Sequence, residues 1–169
     1  YGLWSSRHDA PYNPTIYDKD HTCGAFAKST DGGKTWDFSF STGIPSDAIP
    51  VKLSIIHNED SFTIAVATFN KGFYISTNGG QNFTSINVGM DEVEGLIYGE
   101  DVVITNDTIY CLTAPYLDNG YWNASKLYKY NRQNTTIETI NLGEIVLARS
   151  LTYNENKGLY INVIPTYKY

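Results

Sequence analysis

Basic side chains, cysteine and long apolar runs are all in short supply in this chain of 169 residues, and the first and last of these shortages each close off a class of function. Twelve Lys and Arg stand against 18 Asp and Glu, for a net charge of −6. Neither sign is gathered into a block. Nucleic-acid binding needs clustered cations, so no nucleic-acid partner is expected. No apolar run approaches the roughly 18 residues that a membrane helix requires, so no membrane span is expected within this segment. Only two cysteines occur, Cys23 and Cys111, which decide little by themselves. Ala and Leu are scarce. The chain opens on Tyr1 rather than Met and reads as a processed or partial piece of something longer.

What is abundant points to strands. There are 14 Tyr, 7 Phe and 3 Trp, with plentiful Thr, Val and Ile, the residue types that fit a pleated, half-buried surface. A 41% apolar and 18% charged composition is that of a folded domain with a core rather than a disordered tail.

The stretch STDGGKTW at 29–36 returns as STNGGQNF at 76–83. A short motif recurring at such a distance signals a repeat architecture before it signals a site. Around the second copy, VKLSIIHNE (51–59), SFTIAVATFN (61–70), GFYISTN (72–78) and NFTSINVG (82–89) read as four short strands separated by Asn, Asp and Gly turns. Four consecutive antiparallel strands make one propeller blade. EVEGLIYGE (92–100), DTIYCLTAP (107–115), SKLYKYNRQ (125–133) and TIETINLGE (136–144) repeat the pattern, with the third-to-fourth turn degraded to YNRQNTT. Upstream, YGLWSSR, GAFAKSTD and TWDFSFST supply strands two to four of an earlier unit. Downstream, VLARSLTYNE and KGLYINVIP supply strands one and two of a later one.

The expected fold is therefore all-β, without helix: a β-propeller segment of about three to four four-stranded antiparallel blades. Its divisions are a partial blade at 1–45, blades at 46–90 and 91–144, and a partial blade at 145–169. Closed propellers carry about four to eight blades, so the segment is expected to belong to a larger propeller completed from outside it.

The two motifs resemble the Asp-box, S-x-D-x-G-x-T-W, of the BNR repeat in sialidase, xyloglucan-hydrolase and sortilin-type receptor propellers. Ser29, Asp31, Gly33, Thr35 and Trp36 match it outright. Ser76 and Gly80 match, Phe83 substitutes for the Trp, and Asn78 stands in the Asp position. Asp31 and Asn78 offer oxygens to the turn's own N–H groups, the glycines allow positive φ, and Trp36 or Phe83 locks the hairpin to its blade. The resemblance implies a structural box on the outer rim, away from the central face where ligands bind. An amide at 78 does no acid–base chemistry, which favours the same structural role for Asp31.

Candidate ligand-binding residues lie elsewhere. The connection 6–23, between strands two and three of its unit, is long and holds His8, Asp9, Tyr12, Tyr17, Asp18, Asp20 and His21. Long loops carry function. Its His and Asp lack a metal-ligand spacing, so no metal or cofactor is expected. A second insertion, APYLDNGYWNAS (114–125), occupies the same place in its unit, and two insertions at one blade position share one face. Trp4, Tyr12, Tyr17, Tyr116, Tyr121 and Trp122 on or beside these loops suit stacking on a sugar or clamping a peptide; equally, large aromatics fill gaps between blades. Of Arg7, Arg132 and Arg149, only Arg149 lies on a first strand, which leaves a sialidase-type arginine triad incomplete. Asp91, Glu92 and Glu94 stand where the chain enters a first strand, the place of paired carboxylates in xyloglucan hydrolases, or else form a charged turn.

Four N-x-S/T sequons, at Asn82, Asn106, Asn123 and Asn134, suit a secreted protein or the lumenal or extracellular part of a membrane protein. Cys23 and Cys111 fall two units apart, farther than the roughly 7 Å between Cα atoms that a disulfide spans, so no bond between them is expected. The leading functional expectation is a non-catalytic extracellular module that binds a peptide or protein ligand, or carbohydrate. The alternatives are part of a glycoside hydrolase or sialidase-like enzyme, and a structural surface or assembly protein.

Overall fold

The computed structural model describes residues 1–5, 24–37, 43–57, 61–118, 121–143 and 147–164, without the side chains of 2–5, 24–25, 117–118 and 121–122. Among these residues every regular element is a strand. Strands β1 (Gly2–Ser5) and β2 (Gly24–Ala27) form an antiparallel pair. Strands β3 (Pro50–His57), β4 (Phe62–Thr68), β5 (Gly72–Ser76) and β6 (Thr84–Ser85) form a four-stranded antiparallel sheet in chain order. Next come β7 (Gly99–Ile104) and β8 (Thr108–Thr113), a separate small hairpin of β9 (Tyr116–Asp118) and β10 (Tyr121–Asn123), then β11 (Leu127–Asn131) and β12 (Ile137–Ile140). Strands β7, β8, β11 and β12 make the second four-stranded sheet, again antiparallel and in chain order. Finally β13 (Leu147–Asn154) pairs with β14 (Gly158–Ile164). None of these sheets closes on itself.

One boundary departs from expectation. The first strand of the second sheet runs over Gly99–Ile104 rather than over 92–100, so the expected strand shares only its last two residues with it. Residues 93–96 instead close a two-residue hairpin, in which Val93 N donates to Leu96 O at 2.8 Å and Leu96 N to Val93 O at 2.9 Å. Both central residues have positive φ, Glu94 at 53° and Gly95 at 75°, as a mirror-image turn demands. In the first pair, Lys28 bridges Asp37 after β2; the remainder of the expected fourth strand, 38–42, lies outside the described residues.

The sheets stack face to face because their central strands are apolar on both sides. In β4, Ile64 and Val66 pack with Phe26, Tyr74 and Phe83, toward the β1–β2 pair. The alternate residues Ala65 and Ala67 pack with Phe73, Val102, Ile109, Cys111 and Tyr128, toward the second sheet. Strand β8 does the same: Ile109 and Cys111 face back, while Leu112 joins Leu127, Ala148 and Leu151 against β13. A strand buried on both faces reads as a near-continuous apolar run, which is why FTIAVAT lacks polar alternation.

The leading strands share a further device. Each of β3, β7 and β13 carries a β-bulge near its start, with Val51, Glu100 and Arg149 as the extra residues. Asp101, just after the second bulge, is only 1% exposed. Its Oδ2 accepts from Leu151 N at 2.8 Å, its Oδ1 accepts from Val102 N at 2.7 Å, and Lys52 Nζ lies 3.7 Å away. One buried carboxylate thus ties three leading strands together, as a buried charge requires.

Close approach of β7 to β4 needs a glycine. A Cβ on Gly99 would lie 2.6 Å from Thr68 O and 3.3 Å from the Phe73 ring. Gly99→Ala is therefore expected to cost about 1–3 kcal/mol through overpacking. Val88→Ala, at a side chain 88% exposed, should stay within about 0.5 kcal/mol of wild type. Urea denaturation of the two variants checks the contrast.

Candidate functional site

In each antiparallel meander the first-to-second and third-to-fourth turns leave at one pole, and the second-to-third connection at the other. The 29–36 and 76–83 turns belong to the first pole, and the 114–125 insertion to the second. The two poles have different chemistry.

At the first pole the two turns carry the same set of hydrogen bonds. Ser29 Oγ donates to Asp31 Oδ1 at 2.8 Å, as Ser76 Oγ does to Asn78 Oδ1 at 2.8 Å. Gly33 N donates to Ser29 Oγ at 2.8 Å, and Gly80 N to Ser76 Oγ at 2.9 Å. Thr35 N reaches Asp31 Oδ1 at 3.0 Å, and Asn82 N reaches Asn78 Oδ1 at 3.0 Å. Gly33 and Gly80 have φ of 89° and 85°, a conformation open to glycine. The carboxylate adds two bonds that the amide lacks, from Lys34 N at 3.0 Å and from Thr35 Oγ1 to Oδ2 at 2.6 Å. The aromatic ends differ. Phe83 is buried edge-to-face on Phe26, 4.9 Å between centroids, whereas Trp36 is half-buried and donates Nε1–H to its own Gly33 O at 3.1 Å. The third-to-fourth turn of the second sheet uses other parts: Asn131 Oδ1 accepts from Gln133 N and Asn134 N, and Thr135 takes positive φ.

These bonds, led by the Thr35 hydroxyl, hold the Asp31 carboxyl down at about 2, against an ordinary 3.8. All its donors belong to its own turn, so its chemistry is spent on the hairpin.

The second pole holds the titratable cluster. A cavity of about 210 Å³ lies between the 93–96 hairpin and the insertion, lined among others by Asp91, Glu92, Tyr98, Tyr116, Lys126 and Tyr128. Asp91 Oδ2 accepts from Lys126 Nζ at 2.6 Å and from Tyr128 Oη at 2.8 Å, while Asp91 N donates back to Tyr128 Oη at 3.0 Å. The lysine, then the tyrosine, lower the Asp91 pKa. Burial pushes the Tyr128 phenol up to about 12. Three rings run outward through this pole, Phe69 to Tyr98 at 5.1 Å and Tyr98 to Tyr116 at 6.5 Å.

The insertion replaces a tight turn. In the first sheet Thr68 Oγ1 donates to Gly72 O and accepts from Lys71 N, and Lys71 pairs with Asp47 at 2.9 Å. In the second sheet Thr113 Oγ1 donates to Lys126 O and accepts from Lys126 N, and Lys126 pairs with Asp91. The threonine latch and the lysine pair are kept, and the β9–β10 hairpin is spliced between them.

Of the other candidates, Tyr121 and Trp122 lie in β10 and Trp4 in β1. His8, Asp9, Tyr12 and Tyr17, with Arg7, Asp18, Asp20, His21 and Cys23, fall outside the described residues. Arg149 stands at its bulge with Nη1 3.4 Å from Glu100 Oε1, the bulge residue of the neighbouring sheet; burial raises the Glu100 pKa and the arginine opposes it. Arg132 straps the sheets, donating to the Thr105 and Asn106 carbonyls and to Thr63 Oγ1. Asn82, Asn106 and Asn134 are exposed in turns of the first pole, while Asn123 is half-buried in β10. Cys111 is a free, fully buried thiol. No cluster able to hold a metal ion occurs among the described residues, and no helix there is long and apolar enough to cross a membrane.

No family model, curated protein or solved structure matches this chain.

The cavity's partners and the bulges were beyond sequence reasoning, since PVK, GED and ARS share no pattern. Gly95 after Glu94 was the available signal for the 93–96 turn. An L-residue in the left-handed region costs about 1 kcal/mol, so Glu94→Gly is expected to raise stability by about that amount. Tyr128→Phe keeps the buried ring but strands Asp91 N, and should cost about 1 kcal/mol. Thermal and urea denaturation of both variants test this. The two homologous turns also differ in acid. Asp31 has a folded pKa below its unfolded one, so its stabilisation is full above about 3.8 and drains away as pH falls through about 2, whereas neutral Asn78 has no such step. Amide chemical shifts of 29–36 should move through that window while those of 76–83 stay fixed; equal movement would count against the carboxylate's role.

Proposed function

We propose that this chain is a non-catalytic, extracellular or lumenal segment of an Asp-box β-propeller that binds a peptide or protein ligand. The observation that carries the reading is the duplicate hydrogen-bond set at 29–36 and 76–83. It follows β2 of the first pair and β5, the third strand of the sheet stacked on it, as the turn of a bladed repeat would if β1 and β2 are the second and third strands of their blade. On this reading the four stacked sheets are blades, and Asp31 and Asn78 are structural.

Ligand binding is assigned to the opposite pole. The β9–β10 insertion there overhangs a cavity of about 210 Å³, smaller than the roughly 300–1,000 Å³ of small-molecule sites and suited to one projecting side chain of a larger partner. Its charge has the wrong sign for a sialate. Asp91 and Glu92 line it, and Lys126 is committed to Asp91. Arg132 and Arg149 are engaged with the sheets' own carbonyls and with Glu100.

A hydrolase reading needs a protonated general acid; burial raises the Glu100 pKa, but Arg149 opposes the shift and Glu100 is not among the residues that line the cavity. Asp91, kept ionised by Lys126 and Tyr128, does not meet that need.

Two measurements separate the readings. A random peptide library displayed on phage should yield sequences that bind the purified protein, and a panel of aryl sialosides, aryl glycosides and xyloglucan oligosaccharides should show no turnover. Turnover that disappears in Glu100→Gln would replace the binding reading with the hydrolase. For the compartment, native material should lose mass on glycosidase treatment at two or more of Asn82, Asn106, Asn123 and Asn134.

A further inference from the structure

We infer that the cavity at the insertion pole is a subsite for a single cationic side chain, arginine above lysine, presented by the bound peptide; this rests on the peptide-binding reading above. The carboxylates of Asp91 and Glu92 line the cavity, and that of Glu94, in the adjoining 93–96 turn, acts on the lining ring of Tyr98, against one ammonium, that of Lys126. Lys126 is spent on Asp91 at 2.6 Å. Glu92 and Glu94 are exposed and form no ion pair among the described residues. Glu94 acts on the interior as well, since its charge helps to hold the Tyr98 phenol in its neutral form, after burial.

The walls suit a guanidinium. Tyr98 and Tyr116 lie with their rings 24° from parallel, and Tyr116 keeps partial exposure toward solvent. A flat, weakly hydrated cation stacks on such a ring while its edge donates to a carboxylate. A lysine ammonium gains the charge but not the stacking. Val93, Leu96, Ala114 and Ala124 line the remainder and fit the methylene stem of either side chain. The same inventory disfavours a peptide C-terminus, whose carboxylate would meet Asp91 and Glu92 with no uncommitted cation in the lining.

The insertion supplies the specificity. The first sheet has the same threonine latch and lysine pair, Thr68 and Lys71 with Asp47, but a tight turn in place of the hairpin. Tyr116 and Ala124 come from the insertion itself, so the ring wall exists only where β9–β10 has been spliced in.

The test uses N-acetylarginine methylamide and its lysine, citrulline and glutamate counterparts, titrated into isotope-labelled protein and followed by amide chemical shifts. Saturable shifts confined to 91–98, 113–116 and 124–128 are expected with the arginine probe, weaker ones with lysine, and none with citrulline or glutamate. Added salt should weaken the response. The double variant Glu92→Gln/Glu94→Gln should bind the arginine probe about fivefold more weakly with an unchanged melting temperature, as expected for two exposed charges. Tyr116→Ala should lose about three- to tenfold. Equal binding of arginine and citrulline, or shifts located elsewhere, would overturn the subsite. The library selection distinguishes the two levels: selected peptides that lack a basic residue and ignore the double variant refute the subsite alone. An arginine probe that binds here while no peptide is selected refutes peptide binding and leaves the subsite standing.

Discussion

Strand β4 has no side facing water, and most of the architecture depends on that. Ile64 and Val66 are buried toward the β1–β2 pair, Ala65 and Ala67 toward the second sheet, all four fully buried. A sheet that must cover both faces has to stack, and each added sheet transfers the need to the next; β8 hands it on through Leu112 to β13. Residue size follows the geometry. On the face toward the second sheet β4 presents Thr63, which Arg132 reaches, and the small Ala65 and Ala67, which admit Phe73 and Tyr128, both fully buried, and the backbone of β7 approaches so closely that position 99 has no room for a Cβ.

Stacking alone leaves sheets free to slide, and the polar groups at the leading edge oppose this. Asp101 accepts a backbone donor from β13 and its own neighbour's, with Lys52 of β3 nearby, while Arg149 and Glu100 pair between bulges. At the far pole Arg132 spans from the second sheet to Thr63 of the first. Buried polar groups of this kind contribute less through net energy than through what mispairing would cost, because an unpartnered carboxylate or N–H in the interior loses its hydration without return. They set register where the apolar faces would tolerate several.

The division of labour between the poles has the same origin. The 29–36 and 76–83 turns of the first pole spend the side-chain oxygens of Ser29, Asp31, Ser76 and Asn78 within the turn itself. At the second pole the Thr113 latch holds the strand ends whatever lies between them, so a hairpin can be inserted without disturbing the sheet. Its tyrosine and the carboxylates of the preceding linker then meet over a cavity, and Glu94 holds a strained φ of 53° beside it. Backbone strain of this kind persists where the surroundings enforce it.

Strand order, strand type and the paired turns were legible in the sequence, because they rest on local rules: β-branched and aromatic runs, glycines at positive φ, and a Ser–Asp or Ser–Asn spacing that satisfies nearby donors. The 93–96 turn was misread, since Val, Leu and Ile around it mimic a strand and only Gly95 spoke against it. Asp91 was legible as a charged residue in a promising place, but not as the partner of Lys126 and Tyr128, which lie more than thirty residues on. Arg149 was legible as a residue of a leading strand, but not its pairing with Glu100. Those contacts depend on how one sheet sits on the next, a matter of interlocking side-chain volumes and of bulges that leave no shared pattern in PVK, GED and ARS. Local hydrogen bonding determined the turns within the sequence itself; the meeting of distant residues in a cavity was decided only by packing, which no local rule encodes.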